Sequence, residues 1–366
     1  MSKREQLENF SGLNAFGLSY QQCLESGLAA EKSRAFHGDA NQAVSVGLSS
    51  GTSGRRGVFL TTPQERLRWA ATILASARFL SLLEKHRVAF FLRANSPLYS
   101  EAGGTRLRFR YFDLSLPFPE LASSLRDFAP TALIAPPAVL SLILQSEKAE
   151  GRTLEPRVVV SVADRLEPAL RAELAAHFGV VVHEVYQATE GFLGITCLEG
   201  TLHLNEELFY LEKTNEEASG AFQPQLSDYF RRSQAFVRFH LDDVLLPLAE
   251  PCACGSKRLA IREIMGRADD TLLFTSRAGE ERKIWPDFVR QAIQNSLHKD
   301  LDFRLVQSGA GLELQLAEEV SESCRKEMEA GIRVHLESQN IELPVLTWNF
   351  TLARPVGDKR KRVLRT

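Results

Sequence analysis

Residues Ser49-Ser50-Gly51-Thr52-Ser53-Gly54-Arg55-Arg56-Gly57 concentrate small side chains, hydroxyls and two guanidinium groups in one short stretch. Small residues let backbone N–H groups crowd around an anion, and hydroxyls and guanidinium groups add donors. The chemistry that suits such a stretch is phosphate binding. It is not a Walker A sequence, because no Lys-Ser or Lys-Thr pair follows its last glycine. On composition alone a flexible linker fits as well.

Further groups capable of chemistry lie downstream. In Tyr186-Gln187-Ala188-Thr189-Glu190-Gly191, just past an apolar strand, a ring can stack on a base, a hydroxyl can bond phosphate and a carboxylate can hold Mg²⁺. The plain alternative is a strand exit with a surface glutamate. In Val237–Val244, an aspartate at the end of an apolar strand is placed to accept ribose hydroxyls, unless Asp242-Asp243 form a simple turn. Ile264–Asp270 falls at a domain junction. Gly357-Asp358-Lys359-Arg360-Lys361-Arg362-Val363 is strongly basic, and as a bare charge run it is a solvated tail or a weak nucleic-acid patch. Cys197, His203, Cys252 and Cys254 make a Cys₃His set suited to structural Zn²⁺, although Cys-x-Cys is tighter than the common spacing. Two turn cysteines and one buried thiol are the alternative. Cys23 and Cys324 have no evident partners.

The elements that must position these groups follow from periodicity. Ala43–Leu48 is a strand. Thr62-Pro63-Gln64-Glu65 is a capping box with proline at the first helical position, opening a helix to about Glu84. Leu67, Ala70, Ala71, Leu74, Ala77 and Leu80 are spaced for its buried face. Strands at Arg87–Leu92, Thr131–Ala135, Arg157–Val162 and Val180–Val185 alternate with helices at Pro137–Gln145 and Glu167–His177, the latter with Leu170, Leu174 and Phe178 as its stripe. Apolar strands separated by helices imply a parallel sheet covered on both faces, with ligands beyond the carboxyl ends of its strands. The chain is strand-rich from Phe192 to Ile264, and a polar break follows at Gly266–Asp270. A smaller α+β unit then contains a helix near Asp287–His298, strands near Phe303–Val306 and Leu312–Leu316, a helix over Ser321–Ser338 and a strand over Val345–Leu352. The expected domains are residues 1–267 and 268–366.

The chain's 366 residues suit two or three domains, and 44% hydrophobic with 25% charged residues is ordinary for a soluble globular protein. A net charge of -2 gives no general drive toward nucleic acid or anionic membrane. Met1–Gly12 lacks the apolar stretch of a signal peptide, and Ala132–Leu144, broken by Pro136-Pro137, is too short to span a bilayer. Five scattered cysteines do not make a disulfide framework, so a reducing cytoplasm is the expected compartment.

Taken in order, these segments resemble the adenylate-forming superfamily of acyl- and aryl-CoA synthetases. The likeness is to the branch of phenylacetate-CoA ligase and coenzyme F390 synthetase, and runs from about Val44 to Val363. Arg238-Phe239-His240-Leu241-Asp242-Asp243, Glu250-Pro251-Cys252-Ala253-Cys254-Gly255 and Gly266-Arg267-Ala268-Asp269-Asp270 carry it. The resemblance implies an α/β fold: a large domain of parallel-rich, helix-covered sheets with a strand-rich part, and a small mobile α+β domain. It implies ATP-dependent conversion of a carboxylic acid to its acyl-adenylate with release of pyrophosphate. Ser49, Ser50, Gly51, Thr52, Ser53 and Gly54 would hold the β- and γ-phosphates, Tyr186 would pack on adenine, Thr189 would contact the α-phosphate and Glu190 would bind Mg²⁺. Asp243 would take the ribose hydroxyls and Arg267 the ribose or phosphate. Asp269 would be the hinge, and Lys359 would reach between carboxylate and α-phosphate. CoA, a carrier, an amine or a pathway reductase would take the acyl group, and a Zn²⁺ site is found in some members of the branch.

The sequence departs from that pattern at Arg55-Arg56, where many relatives have Lys-Pro, and at Gln187, where glycine is common. His240-Leu241-Asp242 replaces Arg-Thr-Gly, so only Asp243 transfers directly. Thr275–Lys283 lacks the usual glycine-rich turn, which puts the second half-reaction in question. Phe90–Tyr99, Ala135–Leu140, Val162–Asp164 and Phe192–Gly194 are expected to line the acyl pocket, with Phe91, Tyr99 and Phe192 suiting an aromatic acid. Chain size also resembles an adenylating enzyme of phenazine antibiotic biosynthesis. Two other readings stand beside this one. Gly47-Leu48-Ser49-Ser50-Gly51 matches the G-x-S-x-G elbow of an α/β-hydrolase with Ser49 as nucleophile, although residues 52–62 delay the helix that motif requires. The other is a catalytically inactive nucleotide-binding relative. Oligomeric state is not fixed by the sequence, a homodimer being one arrangement it allows.

Overall fold

In the computed structural model of the chain, the residues described are 1–33, 44–48, 56–81, 83–92, 106–114, 116–151, 154–267, 272–284, 289, 293, 303–338, 340–352 and 363–365. The chain divides into two compact units, residues 1–216, 224–241 and 247–263 forming the first and residues 217–223, 242–246 and 264–366 the second.

The first unit opens with helices α1 (Lys3–Glu8) and α2 (Tyr20–Ser33), followed by the antiparallel strands β1 (Ser45–Leu48) and β2 (Val58–Thr61). Phe10, Cys23, Val58 and Leu60 form a small core between them. Ser2 and Glu5 make a reciprocal capping box at α1. Helix α3 (Pro63–Ser76) starts as its sequence dictates, with Thr62 and Glu65 capping each other's backbone N–H groups. It stops at Ser76 rather than near Glu84. Phe79, just beyond it, leaves the helix to stack on His183 with ring centroids 4.0 Å apart. The inward face agrees with the expected one only at its end: Ala77 and Leu80 pack inward as expected, but Trp69 and Ile73 join them against Phe192 and Ile195, whereas Leu67 is 69% exposed.

A twisted sheet follows, built from β3 (His86–Leu92), β4 (Leu107–Asp113), β5 (Ala132–Ala135), β6 (Val158–Ser161) and β7 (Val182–Ala188), with helices α4 (Phe118–Phe128), α5 (Pro137–Glu150) and α6 (Pro168–Phe178) between them. These strands pair in parallel in the order β4-β3-β5-β6-β7. Successive side chains alternate faces. Ala89, Phe91, Leu133 and Val159 pack under Leu125, Leu140, Ile143 and Leu174 of the helices. Val88, Ala132, Val158 and Val160 meet Phe79 and Leu80 on the other face. α5 runs five residues past its expected end, to Gly151 in a left-handed cap (φ 63°). Because β4 and β5 flank β3 on opposite sides, the strand order reverses at β3/β5, the place where such sheets leave a crevice at their carboxyl ends.

Antiparallel strands β8 (Gly191–Thr196) and β9 (Leu202–Leu204) continue the sheet beside β7, and a separate antiparallel sheet holds β10 (Phe209–Thr214), β11 (Gln223–Asp228) and β12 (Phe239–His240). β13 (Asp243–Pro247) and β14 (Ala260–Arg267) come next, and the first part of β14 pairs with β9 through Ala260–His203.

In the second unit, Ala221, Val244, Leu246 and Met265 make one small core. Strands β15 (Leu272–Thr275) and β16 (Glu281–Ile284) form a hairpin, and β17 (Phe303–Ser308), β18 (Gly311–Leu316), β19 (Leu346–Asn349) and β20 (Val363–Arg365) form a sheet in the order β19-β18-β17-β20. Helix α7 (Glu322–Ser338) contributes Met328, Ile332 and Leu336 to its core. The helix expected near Asp287–His298 lies almost wholly outside the described residues, but Val289 and Ile293, one helical turn apart, are buried in that core. The architecture is α/β, with parallel and antiparallel strands mixed in one sheet and a smaller α+β unit.

Candidate functional site

Ser49–Gly54, Asp269 and Lys359 lie outside the described residues. The described neighbours of the first stretch are informative. β1 and β2 pair antiparallel from Ser45–Thr61 to Leu48–Val58, so residues 49–57 connect the two strands of a hairpin. A nucleophile elbow needs strand followed directly by helix. The chain instead turns back as a strand, which removes the hydrolase reading of Ser49.

The Tyr186–Gly191 segment is not a loop exit as expected. β7 continues to Ala188, Thr189 and Glu190 form the turn, and Gly191 (φ 157°) opens β8 as the partner of Ala188. A Cβ on Gly191 would lie 2.5 Å from the Phe209 ring, so glycine is required by packing as well as by backbone angle. Tyr186 is buried at 9% exposure, and the register shifts between it and Gln187. Beneath the turn sits a residue that sequence reasoning missed. Arg231, its side chain 4% exposed, donates from both terminal nitrogens to the Thr189 carbonyl at 3.3 and 3.4 Å. Burial lowers the Arg231 pKa, while the charges of Asp228, Glu65 and Glu190 act in the opposite sense. Thr61, Glu65, Trp69, Gly191, Phe192, Asp228 and Arg231 line a small cavity there. Glu65 has a second function beyond the cap, accepting from the backbone N–H groups of Arg232 and Ser233 at 2.5 and 2.8 Å. Burial raises its pKa, but N–H donors from Thr62, Ser233 and Arg232 outweigh that and leave it below the usual range. The capping box was legible in sequence; nothing in Arg231-Arg232 distinguished a buried arginine from a surface pair.

In the second unit, Arg267 Nε lies 3.8 Å from Asp243 Oδ1, so the two residues assigned to ribose are neighbours. Asp243 opens β13 instead of closing a strand. The apolar strand expected before the aspartate is only Phe239–His240, and Arg238 just ahead of it takes a left-handed conformation (φ 45°).

Cys197, His203, Cys252 and Cys254 converge, with all four ligand atoms within 4.8 Å of one another. Cys197 Sγ is 3.8 Å from Cys252 Sγ, and Cys254 Sγ is 3.4 Å from His203 Nε2. A tetrahedral zinc with Zn–S of about 2.3 Å and Zn–N of about 2.05 Å has S–S edges of about 3.8 Å and S–N edges of about 3.5 Å. The residues fit the ion. His203 Nδ1 lies 3.2 Å from the Arg258 carbonyl, an arrangement that protonates Nδ1 and turns Nε2 toward the thiols. The Thr201 hydroxyl and the Cys254 backbone N–H bring the Cys252 thiol down to about 6, whereas burial pushes Cys197 up. The cluster thus carries a ready thiolate ligand in Cys252.

No family model and no curated protein sequence matches the chain. Solved structures do. A 2-hydroxyisobutyryl-CoA ligase in the postadenylation state, in complex with 2-HIB-AMP, superposes with a TM-score of 0.65 at 18% identity, over 100% of this chain and 85% of that one. An anthranilate CoA ligase in complex with anthranoyl-AMP gives 0.61 at 14% identity, over 87% and 66%. A benzoate CoA ligase from Burkholderia xenovorans LB400 gives 0.60 at 15% identity, over 88% and 69%. The chain has the fold of the adenylate-forming CoA ligases along its whole length.

Proposed function

We propose that this protein activates a carboxylic acid with ATP as an acyl-adenylate and passes the acyl group to CoA or another acceptor. The observation that carries the proposal is full-length likeness to a ligase whose structure holds the acyl-adenylate of its own substrate. In the reaction, a carboxylate oxygen attacks the α-phosphorus, the bond from α-phosphorus to the bridging oxygen breaks, and pyrophosphate leaves with the electron pair. Two anions must approach, so the protein's contribution is charge neutralisation and alignment. Residues 49–54 would hold the leaving phosphates, Thr189 the α-phosphate, Tyr186 adenine, and Asp243 with Arg267 the ribose. Lys359, on the chain beyond the Asp269 hinge, would draw carboxylate and α-phosphate together. Mg²⁺ when bound supplies charge at the phosphate oxygens, and Glu190 would hold it.

An aromatic acid is the favoured substrate class. Its support is the reversal of strand order at β3/β5, the position at which such sheets bind ligands, together with the anthranilate and benzoate ligases among the similar structures. A phenazine carboxylate belongs in the substrate panel because of chain size. Structural Zn²⁺ in the Cys₃His cluster favours the phenylacetate-CoA ligase branch. A reductase or acceptor enzyme as partner, and a homodimer, complete the proposal. Trapping with hydroxylamine tests the chemistry: acid-dependent acyl-hydroxamate with AMP as co-product is expected, whereas ADP as the nucleotide product would contradict it.

A further inference from the structure

We propose that Arg231 is a positioning residue that fixes the Thr189–Glu190 turn and, through the segment it begins, ties that turn to the hairpin flanking residues 49–57. The inference rests on the nucleotide-binding reading above and names a residue that reading does not use. A buried guanidinium is costly unless its charge and donors are matched. Here the match is made on purpose-built partners. The planar fork spans one carbonyl, that of Thr189. Asp228 stands 4.0 Å from Nε, and its Oδ1 also accepts the N–H groups of Phe230 and Arg231 at 2.7 and 2.9 Å, which fixes the backbone that launches the side chain. The guanidinium lies 4.7 Å from the Phe236 ring centroid and 5.8 Å from that of Trp69.

The residues that follow hold the other half. Arg232 and Ser233 donate their N–H groups to Glu65, at the head of α3. The Ser233 hydroxyl donates to the Leu60 carbonyl at 2.7 Å. Gln234 accepts from Leu60 N–H at 3.0 Å and donates to the Val58 carbonyl at 3.2 Å, with Ser233 and Gln234 each 1% exposed. Residues 228–234 therefore satisfy the open side of β2 and the carbonyl of the turn in one buried run. The turn assigned to phosphate and the strand that follows residues 49–57, far apart in sequence, share a single brace. Lysine could supply the charge but not the two-pronged geometry.

Two variants test this: Arg231→Lys, and Arg231→Met combined with Asp228→Asn, which removes the charge of the nearest carboxylate together with the guanidinium. Amide hydrogen exchange of the full chain needs no substrate. Exchange at residues 188–191 and at 58–61 is expected to rise about tenfold or more in the double variant and less in Arg231→Lys, with the cores of the second unit unchanged. Unchanged exchange at either segment overturns the inference whatever the reaction is. In pyrophosphate exchange, the half-saturating Mg²⁺ concentration of the double variant is expected to rise about tenfold, with partial recovery in Arg231→Lys. A purely structural arginine would lower the active fraction without moving that midpoint, and that result also overturns it. A wild-type chain inactive with every acid but showing the hydrogen-exchange response would count against the proposed reaction and leave the brace standing.

Discussion

Cys197 Sγ and Cys252 Sγ stand 3.8 Å apart, the edge of a tetrahedral thiolate site rather than the bond of about 2.05 Å that a disulfide would require. With Cys254 and His203 they close a donor set contributed by the β8–β9 hairpin and the Cys-x-Cys turn. The protein is therefore expected to purify with about one zinc per chain by atomic emission. Cys252→Ser should lose the metal and lower the melting temperature, and chelation should do the same to the wild type. A metal-free chain of unchanged stability would refute the site.

Gly194 pairs with Leu204 in that hairpin, and a Cβ at this position would lie 2.7 Å from the His203 carbonyl oxygen. Backbone cannot give way as a flexible side chain can. Gly194→Ala is expected to cost about 1–3 kcal/mol in denaturant unfolding and to weaken zinc retention, because the displaced residue is a ligand.

His183 is buried, stacked on Phe79, with Nδ1 3.0 Å from the Thr196 hydroxyl. Burial, reinforced by Arg171, lowers its pKa from 6.5 to about 4. The unfolded chain takes up a proton as pH falls below 6.5, and the folded chain does not until about 4. The contribution of neutral His183 is thus complete above pH 6.5 and is lost through that window, by up to about 1.4 kcal/mol per pH unit. Urea titrations from pH 7 to pH 4 check this, and in His183→Gln that part of the slope should vanish.

Helix α3 separates the two accounts of its buried face. Ile73→Ala is expected to cost about 2 kcal/mol or more, whereas Leu67→Ser should stay within about 0.5 kcal/mol. The reverse order in thermal unfolding would restore the face inferred from spacing alone.

Much of the framework is local in origin and was legible. The capping box at Thr62–Glu65 and the apolar runs at 132–135 and 158–161 depend on neighbours in sequence. What failed depended on partners far away. α3 ends early because Phe79 finds His183, a residue on β7. The residue types at Tyr186–Gly191 announce their chemistry, but not that they sit on a two-residue turn braced from below by Arg231. A buried arginine reads in sequence like any surface arginine; only its three carboxylate neighbours reveal it. The metal ligands were visible as residue types, since Cys and His are few, yet their convergence is tertiary.

The most direct test of the account is exchange of labelled pyrophosphate into ATP across a panel of aromatic acids, including benzoate-, anthranilate- and phenazine-type carboxylates. Exchange that requires both the acid and Mg²⁺, and that falls by orders of magnitude in Lys359→Ala while ATP affinity is kept, is the predicted result. A chain that binds ATP but exchanges no pyrophosphate with any acid would contradict it.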